Sequence, residues 1–350
     1  MGIENPPPVN GDFVNEGTFL ALPPCFPGVS LPPPADETRA HRLFRSASGK
    51  NVFAATRGPV PHVLQFRPKG TFGYAADLGV PSRATEITAL LSRETPDGEM
   101  LHVACAGDGG ACIHRSWTAN FRHGIQEWEV RRHPFEKAIE LPVGTIKGMV
   151  GSGTQIFVWG EEAGFFLRIL ENGLALEKSV PLVGVLGALK MDGADRLLSR
   201  DWRLLPVLWE RIEIGEGEEL PIRAPLPQAL HAFPRGFVFA DVEGRITEWT
   251  DCGLRPRGRV PLTPVHALCR LPDGRIYASA GQDIAHWYVI AEEVGWARDL
   301  GVPVSTLTTR RYGLQFSHLM VGSDGEILAA EDDRNGHLWI YFPAPHNSSG

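Results

Sequence analysis

The chain has 350 residues, a net charge of −7, 39 glycines and 29 prolines. A chain of this length can bury a large core, and the lack of a basic excess argues against nucleic acid as the main partner. No apolar run approaches the roughly 18 residues that are needed to cross a bilayer, so no membrane partner is expected either.

The N-terminal sequence has no basic segment followed by an apolar run, and so contains no recognisable secretion signal. As written, the chain is expected to be cytoplasmic; a processed N-terminus would be compatible with secretion. The five cysteines, which include Cys105 and Cys112, form no Cys-x-x-Cys pair. This pattern is typical of free thiols in a reducing compartment, and not of a disulfide framework or a zinc knuckle.

Three segments can be distinguished along the chain. Residues 1–35 are rich in proline, and their one strand-like run, residues 18–22, predicts an extended arm with a single edge strand. Residues 36–345 repeat a unit of three apolar runs followed by a more polar fourth run. Residues 346–350 remain as a tail.

About seven copies of the unit can be recognised, starting near residues 41, 86, 146, 185, 230, 266 and 318. The copy at His266 is the clearest, because Asp273-Gly274 separates two apolar runs and Asp-Gly is a strong hairpin signal. The fourth copy is the most degenerate. The starts lie roughly 36 to 60 residues apart, which brackets the 40–50 residues typical of propeller repeats.

The repeat predicts an all-β fold, a seven-bladed β-propeller of four-stranded blades. The last copy ends at Phe342 without a fourth strand, and residues 18–22 are available to complete it and remove an open edge. Two tandem β-sandwiches are the structural alternative. The recurring tryptophans are expected to pack between blades.

Histidines recur at two positions of the unit. The starts of first and third strands meet on one face of a propeller, so these side chains are expected to gather there. The first-strand set is His41, His231, His266 and His318, and the third-strand set is His62, His286 and His337.

Two sequence motifs carry a family resemblance. Asp273-Gly-Arg-Ile-Tyr277 in a second strand, and His337-Leu-Trp-Ile-Tyr-Phe-Pro343 after an acidic loop, resemble seven-bladed propellers associated with polysaccharide breakdown, a group that includes uronate-cleaving lyases. The resemblance covers the repeat over most of the chain and rests mainly on structural turns. It implies a carbohydrate-active protein.

One functional hypothesis is β-elimination of a uronate-containing oligosaccharide. An arginine would neutralise the carboxylate, and a tyrosine or histidine would move the protons. The candidate catalytic residues are His266, His318, Tyr312 and Arg311. The candidate substrate-binding residues are His41, His62, His231, His286, His337, Arg334 and Trp202, the last as a sugar-stacking side chain.

Three other hypotheses remain open. His41, His266 and His318 would form a divalent-metal site if the first-strand imidazoles met at ligand distance. The chain would otherwise be a non-catalytic propeller that binds a glycan, a small molecule or a protein partner. A repeated histidine also has a purely structural explanation, a hydrogen bond to the backbone of the next blade. The basic segment from Arg115 to His133 is expected to be a solvated outer strand that would also suit an acidic sugar.

Overall fold

The computed structural model describes residues 17–21, 39–47, 49, 51–57, 60–67, 74–79, 81, 83–96, 98–107, 110–123, 127–132, 134–282, 285–290, 295–300, 316–322, 325–331 and 338–343. These residues contain thirty strands and no helix. Accordingly, none of them forms a helical segment that could cross a membrane.

The strands follow one another along the chain as the apolar runs of the sequence predict. Their bounds are β1 Gly17–Ala21, β2 Arg39–Arg45, β3 Val52–Arg57, β4 Val63–Arg67, β5 Tyr74–Gly79, β6 Glu86–Thr95, β7 Gly98–Gly107, β8 Gly110–His123, β9 Glu127–Arg132, β10 Glu136–Leu141, β11 Gly148–Ser152, β12 Gln155–Trp159, β13 Ala163–Leu170, β14 Gly173–Pro181, β15 Val185–Met191, β16 Ala194–Ser199, β17 Arg203–Leu208, β18 Glu213–Ile214, β19 Glu218–Glu219, β20 Ala229–Phe233, β21 Gly236–Ala240, β22 Arg245–Thr250, β23 Gly253–Arg259, β24 Val265–Arg270, β25 Ile276–Ala280, β26 His286–Ile290, β27 Arg298–Asp299, β28 Phe316–Val321, β29 Ile327–Glu331 and β30 Leu338–Pro343.

Within the described ranges these strands form seven antiparallel sheets. We number them in chain order: sheet 1 (β2–β5), sheet 2 (β6–β10), sheet 3 (β11–β14), sheet 4 (β15–β19), sheet 5 (β20–β23), sheet 6 (β24–β27) and sheet 7 (β28–β30 with β1). Sheets 2 and 4 have a fifth strand each, which the repeat did not predict. The chain divides into two compact units, one of residues 25–221 and one of residues 1–24 with 222–350.

In the unit of residues 25–221, sheets 1 to 4 stack face to face in chain order. Their first strands β2, β6, β11 and β15 are successive neighbours. Apolar clusters fill the spaces between sheets: one includes Phe53 and Leu101, a second Ala104 and Phe165, and a third Phe166 and Val207. Sheets 2 and 3 are therefore covered on both faces, as blades require.

In the other unit, sheets 5, 6 and 7 are arranged in the same way. Strand β24 contacts β20 on one side and β28 on the other. Between sheets 6 and 7 the ring of Trp287 lies 5.5 Å from Tyr277 and 5.5 Å from Tyr341. The prediction that the recurring tryptophans pack between blades is confirmed for Trp159 and Trp287, which are buried in clusters shared by two sheets.

The N-terminal strand completes sheet 7, as predicted. Strand β1 pairs antiparallel with β30, and Thr18 lies opposite Phe342. The last sheet therefore takes its fourth strand from the opposite end of the chain, which covers an edge that would otherwise be open.

A β-bulge near the start of the first strand recurs in five described sheets. In β24, Val265 lies opposite Ala280 and Ala267 opposite Ser279, so His266 is the extra residue. The same irregularity occurs in β2, β6, β15 and β28. A bulge changes the direction of the side chains that follow it.

Sheet 2 contains a buried histidine whose titration should make the protein acid-sensitive. His102 is fully buried, neither ring nitrogen has a partner among the described residues, and burial, with Arg93 and Arg115 nearby, lowers its pKa from 6.5 to about 4. Between those pH values the unfolded chain binds a proton that the folded chain does not. The free energy of unfolding should therefore fall by about 3 kcal/mol as the pH is lowered from 6.5 to 4.

Urea denaturation across this pH range measures the effect. His102→Leu should remove most of this acid-dependent loss, whereas His231→Gln, a change at a partly exposed histidine, should keep it. An unchanged pH dependence in His102→Leu would contradict the assignment.

Candidate functional site

The end of sheet 6 at which its first and third strands begin holds a histidine–carboxylate pair. Tyr288 of β26 lies directly opposite Asp299 of β27. His286 is two residues before Tyr288, so its side chain is on the same face of the strand and diagonal to Asp299. Its Nδ1 lies 3.0 Å and 3.1 Å from the two carboxylate oxygens of Asp299.

This contact selects the tautomer of the neutral imidazole. The carboxylate can only accept, so Nδ1–H donates, and Nε2 carries the lone pair in the neutral ring. No described residue bonds to Nε2. The side chains of His286 and Asp299 are only 10% and 9% exposed, so water competes weakly for the bond between them.

Tyr288 lies beside this pair. Its ring stacks on the imidazole of His286 with centroids 6.1 Å apart. Burial, and then the nearby Asp299 carboxylate, raise the pKa of its hydroxyl, so the hydroxyl stays protonated. It is buried without a hydrogen-bond partner among the described residues.

Tyr288→Phe should therefore leave the free energy of unfolding unchanged or raise it by up to about 1 kcal/mol, because the variant removes an unsatisfied polar group and keeps the ring. Tyr277→Phe is the matched control: the Tyr277 hydroxyl accepts a bond from Arg275 at 3.3 Å, and its loss should destabilise the fold by about 1 kcal/mol. Urea denaturation of both variants gives the comparison. A loss above 1 kcal/mol in Tyr288→Phe would indicate a partner for its hydroxyl.

His266 lies at the same end of the sheet but is engaged differently. Its Nε2 donates to the carbonyl oxygen of Gly281 at 2.6 Å. While this bond holds, Nε2 cannot accept a proton. The bond lies within sheet 6 itself, whereas the structural explanation expected a bond to the backbone of the next blade. The catalytic role of His266 stays a prediction.

The first-strand histidines do not share one structural position. His41 and His266 are both the extra residue of a bulge. His318 lies one residue further on, opposite Ala330, and the extra residue of its strand is Ser317. His231 lies opposite Val238 in a strand without a bulge.

The two described third-strand histidines do share one position of the repeat. His286 lies opposite Ala280, and His62 takes the corresponding place in sheet 1, where its N–H donates to Thr56 Oγ1 at 2.8 Å and its carbonyl accepts from the Thr56 N–H at 3.0 Å. The two therefore have equivalent positions in their own sheets.

Trp202, predicted as a sugar-stacking side chain, is instead buried. The residue is 4% exposed and has a left-handed backbone with φ of 58°. Its N–H donates to Ser199 at 3.0 Å, and its carbonyl accepts from Leu220 at 2.8 Å. The first of these bonds closes a turn over residues 199–202.

Several predicted residues lie outside the described part of the chain. Tyr312, Arg311, Arg334 and His337 are among them, and only the backbone of His41 is described. Their roles remain predictions. Among the residues whose positions are described, no group of three His, Cys, Asp or Glu side chains could hold a metal ion, and the hypothesis of a site at His41, His266 and His318 stays untested.

The candidate site residue that sequence reasoning missed is Asp299. It belongs to a two-residue strand that leaves no periodic signal. Only its position opposite Tyr288, two residues after a predicted histidine, identifies it.

Comparison with known proteins identifies the fold. No family model and no curated protein matches the sequence. The structure is similar to the WD40 β-propeller domain of Doa1, with a TM-score of 0.55 and 11% identity over 87% of this chain and 93% of that chain. It is also similar to the extracellular domain of a hybrid two-component system of B. thetaiotaomicron, with a TM-score of 0.53 and 10% identity over 87% of this chain and 38% of that chain.

At these identities the similarity shows the fold alone. The chain is an all-β propeller with four-stranded blades, as the repeat predicted. Neither similarity shows lyase activity or a carbohydrate ligand.

Proposed function

We propose that this protein is a carbohydrate-active propeller, a lyase that cleaves a uronate-containing oligosaccharide by β-elimination, with His286 as the general base. The observation that carries the proposal is the bond from His286 Nδ1 to Asp299 at 3.0 Å. It orients the imidazole and leaves Nε2 as the basic atom.

The proposed reaction needs three elements. His286 Nε2 removes the proton from the ring carbon next to the uronate carboxylate. The electron pair of that C–H bond forms a double bond to the adjacent ring carbon, whose bond to the glycosidic oxygen breaks. A proton from a second group then reaches the leaving oxygen, and a cation neutralises the carboxylate as the C–H bond is broken.

This assignment revises the expected roles. His286 replaces His266 as the base, because the Nε2 of His266 is bonded to Gly281. Tyr312 or His318 remains the proposed acid, and Arg311 the proposed cation. Tyr288 is not assigned the acid role, since its hydroxyl oxygen is fully buried, whereas the His286 side chain keeps 10% exposure.

A non-catalytic propeller that binds a glycan or a protein is the second candidate. Its support is the structural use of His266, which suggests that at least part of the repeated histidine pattern serves the fold.

We also infer that the blade number is seven, one for each described sheet.

An ultraviolet assay for unsaturated uronate products on a panel of uronate polymers tests the proposal, together with metal analysis of the purified protein. The lyase proposal expects product that depends on His286. Absence of product on every polymer, combined with saturable glycan binding, would favour the binding module. Stoichiometric bound metal would revive the hypothesis of a His41, His266 and His318 site.

A further inference from the structure

The outer edge of sheet 2 is interrupted beside β8. Strand β10 pairs with β8 as far as Glu136 opposite Arg115, and β9 pairs with it from Arg132 opposite Thr118. Residues 116 and 117 of β8 separate these two edge pairings.

A cavity of about 300 Å³ lies at this interruption. Its walls contain a cation, a hydroxyl, an aromatic ring, a proline and a carboxylate, contributed by Arg115, Ser116, Trp117, Pro134 and Glu136. The volume is at the small end of the range for ligand sites, about 300–1,000 Å³, and suits a single ring-sized group.

The guanidinium of Arg115 is held in place from one side. Its Nη1 donates to the carbonyl oxygen of Glu171, in the turn after β13, at 2.5 Å and lies 3.5 Å from that of Leu170, the last residue of β13. Its Nη2 lies 3.8 Å from the Glu136 carboxylate, which is beyond hydrogen-bond range. The side chain is 14% exposed, so this nitrogen is preorganised and only partly hydrated.

The remaining walls complement this cation. Trp117 is partly buried and contributes an apolar surface. Glu136, whose side chain is 70% exposed, can accept bonds from hydroxyl groups. An aromatic ring beside a fixed guanidinium and a hydrogen-bond acceptor fits a ligand with an apolar ring face, hydroxyl groups and one carboxylate.

We propose that this cavity is a binding subsite for a uronate residue, with Trp117 packing on the sugar ring and Arg115 bonding its carboxylate. The choice of a uronate as ligand rests on the proposed function. The cavity itself is defined by strands of sheet 2 and does not include His286 or Asp299.

Titration of the full chain with methyl glucuronoside and with methyl glucoside, followed by NMR, tests this proposal. Glucuronoside should bind at least about tenfold more tightly, because one charge-assisted hydrogen bond separates the two ligands. Arg115→Gln should remove this preference. Trp117→Ala should weaken both ligands about fivefold to tenfold. Arg168→Gln, which removes an exposed guanidinium of sheet 3, should change neither affinity.

A second variant protects the test against a misfolded Arg115→Gln protein. Glu136→Gln removes the carboxylate nearest Nη2 at an exposed position, and should tighten glucuronoside binding about threefold without strengthening glucoside binding. Equal affinities for the two ligands, no binding of either, or no tightening in Glu136→Gln would overturn the subsite.

The same titration separates this inference from the proposed lyase. His286→Gln should leave glucuronoside affinity at the cavity unchanged. The expected changes of glucuronoside affinity in Arg115→Gln and Glu136→Gln, measured in a protein without elimination activity, would support the subsite and reject the lyase.

Discussion

His286→Gln should lower the rate of uronate elimination by about 100-fold or more, the usual contribution of a positioned general base. Glutamine can still donate a hydrogen bond to Asp299 but has no basic nitrogen. The thermal midpoint of the variant should stay close to that of the parent chain, because the bond within sheet 6 can be preserved. The initial rate of unsaturated product formation is the measurement.

Asp299→Asn supplies the companion test. An asparagine amide can donate to Nδ1 as well as accept from it, so it no longer fixes the tautomer of the imidazole. The elimination rate is therefore expected to fall by about 10²- to 10⁴-fold. Its pH–rate profile should also shift, which a purely structural role would not produce. Arg168→Gln is the control, since its exposed guanidinium lies in sheet 3. Equal loss of rate in Arg168→Gln and His286→Gln would contradict the site.

Glu248→Gln should lower the free energy of unfolding by about 3–5 kcal/mol, as expected when one partner of a buried ion pair is removed. Glu248 accepts from Arg257 of its own sheet and from Arg270 Nε of sheet 6, the latter at 2.5 Å. Arg257 is 2% exposed and also donates to Gly274 in the first turn of sheet 6, at 2.7 Å. The variant would leave this buried guanidinium without its counter-charge.

Glu243→Gln provides a matched control in the same sheet. Glu243 pairs with Arg245, but both side chains are about half exposed, at 49% and 59%, and such pairs contribute about 1 kcal/mol or less. Urea denaturation of both variants measures the difference. Similar losses in the two would mean that the contact between sheets 5 and 6 does not depend on the buried network.

The sequence predicted best those features that local chemistry enforces. The Asp273-Gly274 turn requires a residue that tolerates positive φ, and Gly274 has φ of 92°, so the hairpin could be read directly. The missing last strand and the orphan run near the N-terminus predicted the pairing of β1 with β30. The charge-bearing fourth strand of sheet 6 was harder to place, because only two of its residues pair.

The sequence by itself therefore determined the fold class, the repeat and the completion of sheet 7, because apolar alternation and turn residues act over a few neighbours. The tertiary structure alone decided which histidines occupy equivalent positions and which of them meets a carboxylate. A bulge inserts one extra residue into a strand and leaves no mark in the composition of the sequence. It nevertheless moves every later side chain to the other face of the strand. Asp299 and the cavity beside Trp117 likewise depend on strand register, which is fixed only when sheets pair and pack.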